Sequence, residues 1–460
     1  MEQLLQLSER ESLLKRTTSR CPTCFQSCPA EVWKTRSNHV FLTRTCALHG
    51  EASVCIASDA RFYWLSRGNP QNSECCEGRG VACCSSDNRV AGSLGRNAEL
   101  SGEATFDKLS TCLALIEIVH SCNLKCPTCY ADSPLSDEVA AVPLADIQNR
   151  VQGIIDRKGG IEILQLSGGE PTLHPEFLEL LQWARDNPGI DYLLLNTNGV
   201  LLARDESFAM RLGELFRRGG LQIYLQFDGR QLEGQQQLRG ADLRAVRVRA
   251  IEHCRKAGLP VTLAMTVTEE TLLSVWDAIE FGLGESHIHG ITFQPFFGSG
   301  RAPLSNGKAS RLNTADILLA AIEQSHGRLR AEDFTPLPCG DPNCAVIGYL
   351  LRIAGQVQSI SNFVDFRQLH GFLKDKVHYT VADLAQCGCE NEPLGDLLKN
   401  LELKGSSAFR IMIKPFMDAW SWDQDRIDRC CTHVIRPDGK LDSFCRYYSG
   451  FPDTGAQARA

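Results

Sequence analysis

The stretch HSCNLKCPTCYADSP, residues 120–134, places three cysteines within eight residues, directly after an apolar run. Cys122, Cys126 and Cys129 follow the pattern CxxxCxxC, which fits a disulfide fragment, a zinc site or an incomplete ligand set for an iron–sulfur cluster. A four-iron cluster needs a ligand on each iron, and cysteine thiolate is the usual one. The triplet therefore predicts a cluster with one iron open to another ligand, and the alternative is a zinc site completed by His120.

Composition limits the class of protein. The chain has 460 residues, 43% of them apolar and 22% charged, which is enough for two or three domains with a sizeable core. The net charge of −7, with Lys and Arg spread along the chain, argues against a nucleic-acid groove. No apolar run reaches the roughly 20 residues of a membrane span, and the charged N-terminal stretch does not resemble a secretory signal. We therefore expect a cytoplasmic protein without nucleic-acid partners or transmembrane segments.

Cysteine is the most unusual feature of the composition. The chain holds 21 cysteines, an odd number. The reducing cytoplasm disfavours a disulfide framework, so grouped thiols indicate ligands of metals or clusters. Cys254 stands alone within a helical pattern and is expected to be an ordinary buried core residue.

Four zones follow one another along the chain. Residues 1–74 contain CPTC and TCALHG and predict a small metal module of the rubredoxin or zinc-ribbon type. Residues 75–110 are rich in Cys, Gly and Ser and predict a linker. Residues 111–326 form the regular core described next, and residues 327–460 regain cysteines, which predicts a C-terminal domain with its own metal chemistry.

The core alternates β-rich runs with amphipathic helical stretches. The predicted strands are CLALIEIV, IEILQLS, DYLLLNT, LQIYLQF, VTLAMTV and GITFQPF. Strands that alternate with helices pair in parallel through crossover connections. Six such units predict an α/β fold, a partial (β/α)6 barrel of the TIM type, with its site on the loops after the strands. A doubly wound open sheet is the alternative.

A second motif lies one strand further along the same predicted rim. In LQLSGGEPTLHPEF, Gly168 and Gly169 allow the backbone to approach a ligand closely, and Glu170 with Pro171 fixes a turn. A glycine pair alone is usually only a strand-to-helix turn. Its position beside the cysteine triplet favours a binding site.

The two motifs together resemble the radical SAM enzymes. CxxxCxxC after the first strand and GGEP after the second are the main marks of that family, and Tyr130 beside the last cysteine is also typical. The resemblance implies that Cys122, Cys126 and Cys129 hold a catalytic [4Fe–4S] cluster, whose open iron binds S-adenosylmethionine. It also implies that GGEP contacts the methionine amino group, and that reductive cleavage yields a 5′-deoxyadenosyl radical that abstracts hydrogen from a substrate.

Further strand ends supply candidate cofactor contacts. The resemblance implies that polar residues after the third and fourth strands contact the cofactor or the substrate, and the candidates are Asn196, Asn198, Gln226 and Asp228. Ordinary turn chemistry explains the same residues equally well.

The N-terminal module offers a closed metal site. Two pairs about twenty residues apart have the spacing of tetrahedral zinc or mononuclear iron, and the predicted ligands are Cys21, Cys24, Cys46 and His49. Cys28 or Cys55 could replace His49. A structural role is favoured, with a rubredoxin-like electron relay as the alternative.

A narrower resemblance covers most of the chain. The N-terminal cysteine pairs, the triplet, PLPCGDPNCAVIGYL and the tail IKPFMDAWSWDQDRIDRCCTHVIRPDGKLDSFC follow in the order seen in archaeal tetraether lipid synthases and radical SAM pterin methylases. That group carries auxiliary [4Fe–4S] clusters, for which the candidate ligands are Cys112, Cys339, Cys344, Cys430, Cys431 and Cys445. The segment before the first core strand is longer than expected, which indicates a subgroup with a different substrate.

Three hypotheses follow for function. The first is carbon–carbon bond formation on a lipid acyl chain, and the second is methylation of a pterin-like small molecule. The third is a non-catalytic iron–sulfur electron carrier. An apolar tunnel favours the lipid, and the apolar run AVIGYLL is a candidate lining for it, although such a run is more often plain core. A shallow polar pocket with carboxylates favours the pterin. Either enzyme requires a reductase, ferredoxin or flavodoxin as electron donor, and the lipid hypothesis adds peripheral contact with a membrane.

Overall fold

The computed structural model describes residues 10–65, 106, 109, 111–136, 138–302, 311–337, 340–353, 355–363 and 407–451. The predicted linker 75–110 lies outside this description except for Phe106 and Leu109, and so does the candidate ligand Cys339.

Four antiparallel strands form the N-terminal module. Their bounds are β1 Arg10–Arg20, β2 Ser27–Thr35, β3 Val40–Cys46 and β4 Gly50–Ala57. They pair in chain order, so the β1–β2 and β3–β4 turns lie at the same end of the sheet. This topology brings the CPTC loop after β1 close to the turn that follows Cys46.

All six predicted core strands are present. Their bounds are β5 Leu113–Val119, β6 Ile161–Gly168, β7 Ile190–Thr197, β8 Leu221–Gln226, β9 Val261–Val267 and β10 Ile288–Pro295. Each pairs in parallel with the next, as crossover connections require. Their carboxyl ends therefore meet on one rim, where both motifs lie.

Helices cover the outside of these strands. The α-helices of the described chain are Leu144–Lys158, Phe177–Asp186, Val200–Arg204, Glu206–Leu215, Gln235–Arg239, Arg244–Lys256, Glu269–Leu272, Val275–Gly284, Thr314–Gln324, Gln424–Asp428 and Phe444–Tyr448. In the helix Leu144–Lys158 the buried residues Ile147, Val151 and Ile154 recur at three- and four-residue steps, which gives the helix one face toward the sheet. None of the helices in the described ranges is long and apolar enough to cross a bilayer.

The C-terminal segment extends the same sheet on both sides. Its strands are β11 Phe334–Pro336, β12 Val346–Ile353, β13 Gln356–Ser359, β14 Ser407–Ile413, β15 Thr432–Ile435 and β16 Leu441–Ser443. β14 pairs in parallel with β10, and β15 pairs in parallel with β5. Eight parallel strands therefore run in the order β15-β5-β6-β7-β8-β9-β10-β14, two more than the six-strand prediction.

The apolar run AVIGYLL, considered above as a tunnel lining, belongs to β12. That strand pairs with β11, β13 and β14 in an antiparallel manner, and its first six residues are buried. The run is part of the packed core at the edge of the sheet.

Candidate active site

The cysteine triplet lies on a loop that is fixed at both ends. The backbone N–H of His120 donates to Ala140 O at 2.8 Å, and that of Cys122 donates to Pro134 O at 2.9 Å. Arg301 spans the loop, because its backbone N–H donates to Cys129 O and its Nε donates to Cys126 O, at 3.0 and 3.1 Å. The three cysteines line one cavity at the carboxyl ends of the parallel strands.

The donor set of the triplet is the one that a four-iron cluster with one open iron requires. Cys122, Cys126 and Cys129 offer three thiol ligands to the same cavity. In the described residues, the group of three or more potential ligands whose atoms lie within 4.8 Å of one another is in the N-terminal module, so the triplet with His120 is not assembled as a closed zinc site. Cys122, Cys126 and Cys129 therefore fit the ligand set of a [4Fe–4S] cluster.

Burial opposes ionisation of these thiols. It raises the pKa of Cys122 to about 12, and it also raises the pKa of Cys126, where the positive charge of Arg239 acts in the opposite direction. Thiolate is the form that binds metal, so a positive partner must stabilise it here. Iron supplies that charge when bound.

The two glycines of GGEP are required by backbone packing. A Cβ on Gly168 would stand 2.1 Å from Val119 O, and one on Gly169 would stand 2.0 Å from Ser121 O. Gly168 also has a φ of +121°, which favours glycine. The close approach predicted from the sequence is thus an approach to the backbone that leads into Cys122.

Glu170 is a buried residue that connects several parts of the rim through hydrogen bonds. It is 1% exposed, and burial raises the pKa of its carboxyl group, while hydrogen bonds oppose the rise. The carboxylate accepts from Thr172 Oγ1 at 2.7 Å, Thr197 Oγ1 at 2.6 Å and the backbone N–H of Asn198 at 2.8 Å. Glu170 therefore holds the loop after β7 against the GGEP turn, and Pro171 starts the short 3-10 helix that follows.

The predicted residues after β7 meet the cysteine loop. Asn198 Nδ2 donates to Asn123 Oδ1 at 2.7 Å and lies 3.8 Å from Cys122 Sγ. Asn196 Nδ2 donates to Ser167 Oγ at 3.1 Å. Both asparagines line the cavity.

Two buried arginines organise the predicted residues after β8. Arg247, 1% exposed, donates to Gln226 Oε1 and to Asn198 O. Arg239 donates to both carboxylate oxygens of Asp228, at 2.6 and 2.7 Å. Asp228 has a φ of +59°, an uncommon conformation outside glycine.

Arg239 links Asp228 to the cysteine triplet. Its guanidinium lines the cavity and donates to Thr266 Oγ1 at 3.0 Å, and its positive charge opposes the burial that raises the pKa of Cys126. Asp228 therefore acts through Arg239, whereas Gln226 and Asn198 line the cavity directly. Sequence reasoning missed both arginines, because arginine on a helical pattern is usually exposed.

The predicted ligands of the N-terminal module converge. Cys21 Sγ lies 3.6 Å and Cys46 Sγ 3.7 Å from His49 Nδ1, and Cys24 Sγ lies 3.8 Å from Cys46 Sγ. The hydrogen bond from His49 lowers the pKa of the Cys46 thiol to about 6. The four atoms fit a closed tetrahedral site.

The two alternative thiols of the module differ in position. Cys28 packs against the other cysteines of the group and is 6% exposed. Cys55 lines a separate small cavity between the module and the core. His49 therefore completes the group, and Cys55 is not part of it.

Three C-terminal cysteines lie near one another. Cys430 interacts electrostatically with Cys344 and Cys445, and burial raises the pKa of its thiol well above the ordinary value. Cys445 Sγ accepts from the backbone N–H of Met417 at 3.4 Å. Burial raises the pKa of the Cys344 thiol, and the positive charge of Arg426 opposes that rise.

Two further candidate thiols flank the first strand of the core. Cys431 lines the central cavity, and its Sγ lies 3.2 Å from the position that a Cβ on Gly340 would take. Cys112 is 2% exposed, and its backbone N–H donates to Cys431 O at 3.0 Å. The structure brings these two residues together beside Cys430.

The central cavity has a volume of about 220 Å³ and runs from the cysteine triplet into the sheet interior. Amide, hydroxyl and charged groups project from the parallel strands into it, and these lining residues include Gln165, Tyr192, Gln222, Tyr224, Gln226, Thr266, Thr292, Gln294, Arg410 and Lys414. Apolar side chains are interspersed, among them Leu115, Leu194, Met412 and Phe416. The lining is thus mixed, with many hydrogen-bonding groups.

Comparison with known proteins agrees with the fold and the rim. Residues 116–282 match the radical SAM superfamily, and residues 13–58 match the HMPTM N-terminal zinc ribbon domain. Together with the two motifs on one rim, these matches show a radical SAM domain and an N-terminal zinc ribbon within the chain. They favour an enzyme over the non-catalytic electron carrier.

The relatives define the similarity more narrowly. The chain is 26% identical to 7,8-dihydro-6-hydroxymethylpterin dimethyltransferase of Methanocaldococcus jannaschii over 94% of this chain and 93% of that protein. It is 30% identical to PqqA peptide cyclase of Rhodopseudomonas palustris over 37% of this chain and 43% of that protein. The solved structure of Streptococcus suis SuiB bound to S-adenosylmethionine has 16% identity and a TM-score of 0.38, and 47% of each chain is covered.

Proposed function

We propose that this radical SAM enzyme methylates a pterin-like small molecule. The observation that carries the proposal is the similarity to a pterin dimethyltransferase along nearly the whole of both chains, zinc ribbon included. The second hypothesis from the sequence is thereby favoured over carbon–carbon bond formation on a lipid. Electrons for the reaction come from a reductase, ferredoxin or flavodoxin.

The cavity supports a compact polar substrate. Its lining offers the amides of Gln165, Gln222 and Gln294 and the phenols of Tyr192 and Tyr224. Side chains of these types donate and accept hydrogen bonds in the plane of a nitrogen heterocycle, as a pterin requires. Of the carboxylates expected for a pterin pocket, the described lining has Glu170, beside the cations Arg239, Arg410 and Lys414. AVIGYLL, the suggested wall of an acyl tunnel, lies in β12 instead.

The protein's own residues have distinct tasks in this proposal. Cys122, Cys126 and Cys129 would hold the [4Fe–4S] cluster, with S-adenosylmethionine on its open iron. When bound, this pair supplies the 5′-deoxyadenosyl radical that abstracts hydrogen from carbon. Glu170 fixes the rim around the cofactor, and Asn198 joins that rim to the cysteine loop. The surrounding strands orient the substrate and exclude water.

Auxiliary cofactors are part of the same proposal. Cys344, Cys430 and Cys445 are half-buried, mutually close thiols beside Arg426, which suits an auxiliary [4Fe–4S] cluster. Cys112 and Cys431 are further candidate ligands at the cavity wall. The zinc-ribbon group of four ligands is proposed to hold zinc or mononuclear iron in a structural role.

Deuterium transfer tests the substrate class. Reconstituted, reduced protein is incubated anaerobically with S-adenosylmethionine and either 7,8-dihydro-6-hydroxymethylpterin deuterated at its carbon-bound positions or a fully deuterated ether-lipid extract. We expect deuterium in 5′-deoxyadenosine, together with methylated pterin, in the pterin reaction alone. Deuterium transfer from the lipid alone would contradict the proposal and restore the lipid hypothesis.

A further inference from the structure

A pair of cations stands on the strand that the C-terminal segment adds to the barrel. Arg410 and Lys414 alternate with Met412 along β14 and its end, and all three side chains line the central cavity. Residues two apart on a strand face the same side of the sheet. The added strand therefore brings two positive charges into the cavity that the cysteine triplet also lines.

The neighbouring strand leaves room for the first of these cations. Gly290 of β10 pairs with Arg410, and a Cβ at position 290 would stand 3.0 Å from the Arg410 Cβ and 2.4 Å from its backbone oxygen. Paired residues of parallel strands direct side chains to the same face. Because Gly290 has no side chain, the side chain of Arg410 has room at this position.

The positive charges of Arg410 and Lys414 affect the pKa of tyrosines that line the cavity. Burial raises the pKa of Tyr192, and Arg410 opposes that rise although β14 and β7 lie four strands apart in the sheet. Burial also raises the pKa of Tyr224, against the opposing charges of Lys414 and Arg410. The phenol oxygen of Tyr224 accepts from Gln294 Nε2 at 3.1 Å. The cations, the phenols and the amide thus share one interior region.

The balance of charge in the lining is positive. The described residues that line the cavity include three cationic side chains, Arg239, Arg410 and Lys414, and a single carboxylate, Glu170. Glu170 accepts hydrogen bonds from Thr172, Thr197 and Asn198, and Arg239 forms an ion pair with Asp228. Lys414 Nζ donates to Thr432 Oγ1 at 2.9 Å and lies over the ring of Phe416. Two of the three cations of the described lining therefore lie at its β14 end.

We infer that Arg410 and Lys414 bind an anionic substituent, a phosphate or a carboxylate, on the pterin-like substrate. Guanidinium and ammonium groups form charge-assisted hydrogen bonds with both kinds of anion. The inference rests on the proposed function and adds a substrate class, because the hydroxymethyl group named for the Methanocaldococcus jannaschii relative is neutral. The heterocycle lies among the amides and phenols, and its anionic arm points to β14.

Binding of three fluorescent pterins tests the inference. Reconstituted protein with S-adenosylmethionine is titrated anaerobically with 6-hydroxymethylpterin, its phosphate ester and 6-carboxypterin. Wild-type protein is expected to bind at least one of the anionic pterins about tenfold or more tightly than the neutral one. Arg410→Gln and Lys414→Gln should each remove most of that preference and leave affinity for the neutral pterin within about threefold.

A matched variant controls for charge alone. Arg249→Gln removes one positive charge from the exposed face of the helix Arg244–Lys256, outside the cavity, and should keep the full preference. Melting temperature and iron content are measured for every variant. Gly290→Ala offers a second perturbation, which should reduce the preference by displacing Arg410 while both cations remain.

Failure of the inference differs from failure of the proposed function. Equal affinity of wild-type protein for neutral and anionic pterins would overturn the anion site and leave a pterin substrate in place. A preference that survives both cation variants would also overturn it. If dialkylglycerol phosphate micelles bind and none of the pterins does, the anion belongs to a lipid headgroup, and the pterin substrate itself is contradicted.

Discussion

At the residue scale, the rim depends on Glu170 more than the sequence indicates. The motif predicts a cofactor contact, and the structure adds four hydrogen bonds from Thr172, Thr197 and Asn198 to this buried carboxylate. A buried group that loses its partner costs about 1–3 kcal/mol. Glu170 therefore combines a place on the cavity wall with a structural task.

We predict that Glu170→Gln impairs both tasks. The amide replaces one acceptor oxygen by a donor, which then faces either the backbone N–H of Asn198 or the hydroxyl donor of Thr197. The variant should lose about 1–3 kcal/mol of local stability and nearly all formation of 5′-deoxyadenosine. Calorimetry and product analysis measure these effects, with exposed Glu176→Gln as control. Wild-type stability in Glu170→Gln would show that the network carries little weight.

Residue types explain which parts of the site the sequence revealed. Cysteine and glycine at fixed spacing have few alternative explanations, so CxxxCxxC and GGEP were recognisable. Arg247, which is buried, and Arg410, which faces the cavity, lie far along the chain from the residues that they reach. An arginine is exposed by default, and its burial follows from packing that the local pattern does not contain.

At the element scale, the parallel strands follow from their sequence period and the added strands do not. β5 to β10 alternate with amphipathic helices, which predicts crossover pairing. β14 and β15 lie far along the chain from β10 and β5, outside the regular alternation, and β15 is only four residues long. Their position beside β10 and β5 is determined by tertiary packing. The sequence therefore indicated six parallel strands where the structure has eight.

The zinc ribbon docks on a C-terminal segment of the chain. Arg44, 1% exposed and two residues before Cys46, donates to Ala419 O at 2.7 Å and also to Trp420 O. Ser19 Oγ of β1 donates to Trp422 O at 2.6 Å. The metal group of the ribbon and this docking surface share strands β1 and β3.

Loss of the ribbon metal should therefore loosen residues 415–423. We predict that Cys24→Ser, which removes one ligand of the four, increases backbone hydrogen exchange in that segment while the exchange of β6 and β7 stays unchanged. Thr45→Ser is the matched control, because Thr45 is exposed on the same strand as Cys46 and lies outside the metal group. Unchanged protection of 415–423 in a metal-depleted Cys24→Ser protein would mean that the ribbon docks independently of its metal.

At the scale of the whole molecule, one continuous sheet connects the two kinds of chemistry proposed here. β5 leads into the cysteine triplet, and β15 beside it follows directly after Cys430 and Cys431. The buried carboxylate of Glu117 on β5 accepts from Tyr447 and Tyr448 of the last helix, at 2.9 and 2.8 Å. The C-terminal segment therefore forms part of the barrel wall.

The central claim is that Cys122, Cys126 and Cys129 hold the cluster that cleaves S-adenosylmethionine. The most direct test measures 5′-deoxyadenosine from anaerobically reconstituted, reduced wild-type, Cys126→Ala and Cys254→Ala proteins. Cys254 is a fully buried core cysteine away from the cavity lining and serves as the matched control. We predict product from the wild type and from Cys254→Ala and none above background from Cys126→Ala. Undiminished product from Cys126→Ala would contradict the assignment of the cluster.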